Sequence, residues 1–209
     1  MGRGERDLKA ATPGLSIDRI GPDRLSEYCA VPSLVDVRSV LQVKELDGGF
    51  GGLALEEVPE PVPWIKDYDA YGETPADWSK EFDISQWCIF LATVDGTPVG
   101  GACLALRTPA VRMLEGRSDM AVLWDIRVAP KYRRQGIGRA LFEASRQWCY
   151  EQSMKTLKIE TQNINVPACR FYASQGAQLG AINRFAYRDA AWSHPDVGDE
   201  VMLLWYLQL

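Results

Sequence analysis

The chain has 209 residues, enough for one sizeable domain or one domain with an extension. Its apolar share of 46% and charged share of 24% suit an ordinary globular protein, and no apolar run approaches the ~20 residues of a bilayer span. The formal net charge of -5 argues against nucleic acid or an anionic membrane as partner, and it leaves a cationic ligand open.

Residues 1 to about 14 read as a polar, Gly-containing tail with no apolar core for a secretion signal, ahead of a single domain over 15–209. Leu15 to Ile20 alternates as a strand, and Gly21-Pro22-Asp23 opens a short helix through Tyr28. Val37 to Leu46 reads as a strand ended by Asp47-Gly48-Gly49, with Gly52 to Glu57 as its hairpin partner. The stretch 56–83 is acidic and aromatic and carries Pro59, Pro61 and Pro63, which remove backbone donors. It is expected to be a surface loop with one short helix near Pro75 to Lys80.

Regular elements then resume. Asp95-Gly96 between Cys88–Val94 and Pro98–Leu106 is a hairpin signal, because a type I′ turn needs two positive φ values. Met120 to Val128 is a strand, and Gln135 to Gln152 repeats apolar residues at helical spacing. Thr156–Thr161 follows as a strand, then Val166–Gln175 as a helix stopped by Gly176, then strands near 177–187 and 200–208. The order implies a mixed α/β sheet flanked by helices. Five unclustered cysteines match no metal site or disulfide framework and suit reduced thiols in a cytoplasmic protein. The single histidine, His194, leaves little room for a zinc site or a Ser-His-Asp triad unless His194 itself is the base.

The most informative segment is the turn Val128-Ala129-Pro130-Lys131-Tyr132-Arg133-Arg134-Gln135-Gly136-Ile137-Gly138, joining a strand to a long helix. Its glycines allow close backbone approach, and the helix start adds free N–H donors and a partial positive charge. Such a turn suits a pyrophosphate, although two glycines with solvated arginines are also an ordinary turn. The spacing fits neither a dinucleotide fingerprint nor a P-loop. Strand, turn and amphipathic helix together resemble the acetyl-CoA signature of the GNAT superfamily of N-acetyltransferases. The resemblance implies the GNAT acyltransferase fold, with acetyl-CoA as cosubstrate. It implies that Arg133, Arg134, Gln135, Gly136, Ile137 and Gly138 cradle the pyrophosphate. It also implies that the preceding strand splays from its neighbour, so that free groups near Ile126 and Val128 pair with the pantetheine arm.

Acetyl transfer to an amine needs a proton removed from the ammonium, a stabilised oxyanion and a reprotonated thiolate. Asp125 lies on the strand leading into the turn, Glu160 on the next strand and Tyr172 in the following helix. Each also has a structural reading: Asp125 as an ion-pair partner, Glu160 as a solvated residue sharing a face with Lys158 and Gln162, Tyr172 as a core aromatic. In GNAT enzymes a tyrosine in the context of Tyr172 is commonly the general acid. An asparagine at the position of Asn165 often contacts the cofactor.

A closer resemblance covers roughly residues 120–209. Asp125-Ile126, the run Ile159-Glu160-Thr161-Gln162-Asn163-Ile164-Asn165, Ala168-Cys169-Arg170-Phe171-Tyr172 and the terminal Trp205-Tyr206-Leu207 are similar to streptothricin acetyltransferases, a GNAT subgroup. Those enzymes acetylate an amine of a cationic antibiotic and so confer resistance. They tend to carry Glu-Asp where this chain has Trp124-Asp125, a change that removes an amine contact or base. The expected acceptor is therefore a small cationic amine, contacted by Glu56, Trp64, Trp124, Asp125 and Glu160. Aromatics of the acidic stretch, Trp64, Tyr68 or Trp78, would add cation–π contacts of ~0.5–2 kcal/mol. The same signature fits a protein N-terminus or lysine as acceptor, or a non-catalytic acyl-CoA-binding module. A homodimer is also compatible, since dimers are common among GNAT enzymes.

Overall fold

In the computed structural model, which describes residues 12–71, 74–188 and 200–209, the chain opens with β1 (Leu15–Ile20). A 3-10 turn at Pro22–Arg24 runs into α1 (Leu25–Cys29). β2 (Leu34–Glu45) and β3 (Leu53–Asp67) then form a separate two-stranded antiparallel ribbon. A 3-10 turn at Pro75–Asp77 leads into α2 (Trp78–Glu81). The remaining elements are β4 (Cys88–Val94), β5 (Thr97–Leu106), β6 (Met120–Val128), α3 (Ile137–Glu151), β7 (Thr156–Gln162), α4 (Val166–Ser174), β8 (Gln178–Asn183) and β9 (Met202–Gln208). Trp192, His194 and Pro195, and most of the expected N-terminal tail, lie outside the described residues.

Among the described residues, seven strands make one sheet in the order β1-β4-β5-β6-β7-β9-β8. Every neighbouring pair is antiparallel except β6 with β7. Local chemistry accounts for much of this. Asp95 (φ 49°) and Gly96 (φ 78°) take the two positive φ values that the β4–β5 hairpin requires. α3 buries Ile137, Leu141, Phe142, Trp148 and Cys149, one stripe at helical spacing, against the sheet.

The sheet is buried on both faces. One face carries α3 and α4 over Leu104, Leu123, Leu157, Ile159 and Leu203. The other carries α1, α2 and the turn around Leu114 over Leu91, Cys103, Met120 and Val122.

The expected loop over 56–83 is corrected in its first part, because residues 56–67 belong to β3. The prolines are accommodated for a physical reason. The register slips between Val37 and Ser39, which pair with Trp64 and Pro59, so Pro61 and Pro63 sit in the irregularity. A ribbon two strands wide also leaves each strand a free edge, where a missing N–H breaks no ladder. Trp78 is likewise corrected. It is a core residue, packed at 5.5 Å from Tyr28 and 6.1 Å from Trp87, and so is no candidate for substrate contact.

Candidate active site

The two parallel strands pair only from Met120 to Leu123, against Thr156 to Ile159. Beyond that point they part. The cause lies in β6: Cys103 stands opposite Asp125 and Leu104 opposite Leu123, which leaves Trp124 as an extra residue. A bulge bends its strand and increases the local twist. It also sets two successive side chains on the α1/α2 face. Trp124 packs at 5.2 Å from Phe82 and 5.3 Å from Trp87, while Asp125 accepts the Tyr28 hydroxyl hydrogen.

Alternation along β6 then decides which backbone groups reach the gap. The Ala129 N–H donates to Val99 in β5 at 2.8 Å. Residues two and four earlier therefore also face β5, and Ile126 and Val128 turn their N–H and C=O groups toward the gap. The Val128 carbonyl accepts from Arg133 Nε at 2.9 Å, which leaves its N–H and both groups of Ile126.

Glu160 and Asp125 flank this gap from the α1/α2 face, and Tyr172 approaches from the α3/α4 face, packed against Phe142 and Phe171. Glu160 does not face bulk water with Lys158, as the alternation allowed. Lys158 is buried and bonded to Met113 O and Glu115, and the Glu160 Oε1 atom accepts the Tyr187 hydroxyl at 2.7 Å. Burial raises the Glu160 pKa above the ordinary 4.5, with the Tyr187 bond opposing. The Tyr172 hydroxyl has no hydrogen-bond partner among the described residues, and burial, then the Asp125 charge, raises its pKa.

Asp125 is held more tightly. Arg127 Nε reaches Oδ2 at 2.8 Å and Arg127 Nη2 reaches Oδ1 at 3.2 Å. Arg127 also binds Asp69 at 2.9 Å and the Val31 carbonyl at 3.1 Å. Tyr28, Arg127 and Asp69 were not singled out from the sequence. Asp125 and Arg127 stand two apart on a strand, and that spacing was a readable sign of a same-face ion pair.

The turn before α3 has the features of an anion cradle. Arg134 (φ 64°) and Gly136 (φ 90°) are left-handed, and no side chain caps the helix start. A Cβ at Gly136 would meet nothing within 4 Å, and one at Gly138 only Val128 at 3.7 Å. Packing inside the protein therefore does not demand either glycine, and the space above them is open to a ligand. Gln135 and Gly136 are exposed there, as is Arg134, while Ile137 is buried. The Arg133 guanidinium donates to the carbonyls of Val128 and Leu34, and burial lowers its pKa. Asn165 caps α4, accepting from the Ala168 N–H at 3.2 Å.

The ribbon touches both banks of the gap. Leu34 in β2 accepts from Arg133, and Leu41 exchanges two bonds with Asn163 at 2.9 and 3.1 Å. Just past β3, the Tyr68 hydroxyl donates to Gln162 at 2.8 Å. Glu56 lies further out on β3, exposed and paired with Lys44, and half-buried Trp64 stands opposite Val37. Neither shows a bond to Asp125, Glu160 or Tyr172.

The sheet opens between two parallel strands, and an uncapped helix start follows the first of them. The Acetyltransferase (GNAT) family model matches residues 54–177, and the chain belongs to that family. It is an acetyl-CoA-dependent N-acetyltransferase. The chain is 27% identical to the streptothricin acetyltransferase of Escherichia coli over 185 residues, 88% of this chain and 91% of that protein. It is 36% identical to streptothricin acetyltransferase A of Bacillus subtilis over 96 residues, 46% of this chain and 53% of that one. A crystal structure of nourseothricin acetyltransferase shares the fold with a TM-score of 0.72 at 22% identity, covering 93% of this chain and 98% of the other. A putative streptothricin acetyltransferase from Bacillus anthracis, solved in complex with acetyl coenzyme A, gives 0.68 at 24% identity, covering 93% and 99%.

Proposed function

We propose that this acetyltransferase acts on a primary amine of a small cationic molecule of the streptothricin type, by direct attack within a ternary complex. One observation carries the reading. The gap between β6 and β7 has the Glu160 carboxylate on one side and, on the other, the Tyr172 hydroxyl, which has no hydrogen-bond partner among the described residues.

Acetyl-CoA supplies the acetyl group as a thioester. The N–H groups of Gln135, Gly136, Ile137 and Gly138, with the Arg134 side chain, hold its pyrophosphate. The gap-facing groups of Ile126 and Val128 hold the pantetheine arm, and Asn165 borders it. Glu160 removes the proton of the incoming ammonium, and its raised pKa brings it closer to an ammonium's own. Tyr172 keeps its proton until a thiolate is there to take it. Asp125, gripped by Arg127 and Tyr28, acts as a fixed negative charge that favours a cationic acceptor. Trp124 walls the acceptor side, and Glu56 and Trp64 extend it along the ribbon.

The ribbon supports a small acceptor over a protein chain, because β2 is hydrogen-bonded to both banks of the gap. The test is a free-thiol assay with acetyl-CoA and a panel of streptothricin, aminoglycosides, polyamines and a basic peptide. Streptothricin should turn over well above the rest. Turnover confined to another amine would discard the antibiotic, and turnover of the peptide alone would discard the small acceptor.

A further inference from the structure

Three hydrogen bonds join the end of β3 to Glu160. The Tyr68 hydroxyl donates to Gln162 Oε1 at 2.8 Å, Gln162 Nε2 donates to the Tyr187 oxygen at 2.9 Å, and the Tyr187 hydroxyl donates to Glu160 Oε1 at 2.7 Å. Only one assignment of protons satisfies this chain when Glu160 is ionised. A carboxylate accepts only, so Tyr187 must donate to it. Tyr187 can then only accept from Gln162, which fixes the amide with its nitrogen toward Tyr187 and its oxygen toward Tyr68. Every donor points toward Glu160. The second carboxylate oxygen, Oε2, has no partner among the described residues and is not among the fully buried unpaired atoms.

We propose that Tyr187 is the positioning residue for Glu160: it anchors Oε1, so that Oε2 is the oxygen that takes the proton, while Gln162 and Tyr68 hold Tyr187 in place. This rests on the reading of Glu160 as the base. The relay also links that base to the ribbon, since Tyr68 follows β3 directly and its N–H donates to Ser33 at 3.0 Å. The charged and titratable groups around Glu160 and its relay are Lys158 on its own strand, Tyr187 after β8, Glu200 before β9 with its partner Lys66, Tyr68, and Asp125 and Tyr172 on the far side of the gap. Tyr187 donates a hydrogen bond to the carboxylate.

The experiment is the pH dependence of kcat/KM in Tyr187→Phe, beside wild type and Glu160→Gln. A hydrogen bond to a charged group favours its ionised form, so its loss should move the acid limb upward by about one pH unit. Tyr68→Phe, at the far end, should move it the same way by less. A purely structural role would lower the amplitude and leave the limb in place. An unmoved limb in Tyr187→Phe, with Glu160→Gln impaired, overturns the relay and leaves the base. Full turnover in Glu160→Gln overturns the base and the relay with it.

Discussion

The Tyr28 hydroxyl donates to Asp125 at 2.5 Å, which ties α1 to the bulge of β6, and Arg127 grips the same carboxylate from two residues further along. Tyr28 is fully buried, while the Asp125 side chain stays 17% exposed. Tyr28→Phe should cost about 1.5–3 kcal/mol, the range for a hydrogen bond to a charged group. Arg127→Met should cost more, ~3–5 kcal/mol, because it strands Asp125 and Asp69 together. Urea unfolding checks both, and equal losses would mean that the arginine contributes no more than the tyrosine.

Tyr172→Phe removes the proposed acid and keeps the ring that packs on Phe142 and Phe171. We expect kcat to fall about 10²–10⁴-fold, the usual weight of general acid catalysis, with the acetyl-CoA dissociation constant unchanged. Unchanged kcat would assign the thiolate's proton to another donor.

Glu160 must be ionised to accept a proton, so activity is present above its pKa and lost as pH falls through it. Burial raises that pKa, so the acid limb of kcat/KM should lie above 4.5, and Glu160→Gln should abolish it. The sign for stability is opposite. A carboxyl with a raised folded pKa stabilises below its unfolded pKa, and that contribution is lost as pH rises through the folded value. At neutral pH, Glu160→Gln should therefore leave the melting temperature level or higher while turnover collapses. A large drop in melting temperature would make Glu160 a structural residue.

Gly136 holds φ at 90° where the helix begins, over open space. Gly136→Ala should cost about 1–2 kcal/mol of stability from the left-handed backbone alone. If this turn cradles phosphates, the same change should weaken acetyl-CoA binding measured by calorimetry. Lost stability with wild-type affinity would place the pyrophosphate elsewhere.

Trp78→Ala should destabilise by ~3–5 kcal/mol, as expected for a buried tryptophan, with KM for the amine unchanged in the folded fraction. A raised KM at wild-type stability would restore it as a substrate contact.

The amino-acid sequence by itself determined the elements whose cause is local. β1, β6 and the Asp95-Gly96 turn fall where alternation and turn chemistry put them, and α3 follows its apolar stripe. The opening of β6 from β7 was also legible, through the turn that resembles the GNAT signature. What only the tertiary structure decided depends on register and on partners distant in the chain. Pro61 and Pro63 of β3 sit in a slip of register, which composition cannot express. The bulge at Trp124 exists only relative to β5, and it alone brings Asp125 to the face of Tyr28. Tyr187 meets Glu160 across 27 residues of sequence, and the Arg133 guanidinium reaches carbonyls of both β6 and β2. Periodicity reports which face a residue occupies, whereas a hydrogen bond requires two specific atoms to arrive together, and that is settled by packing.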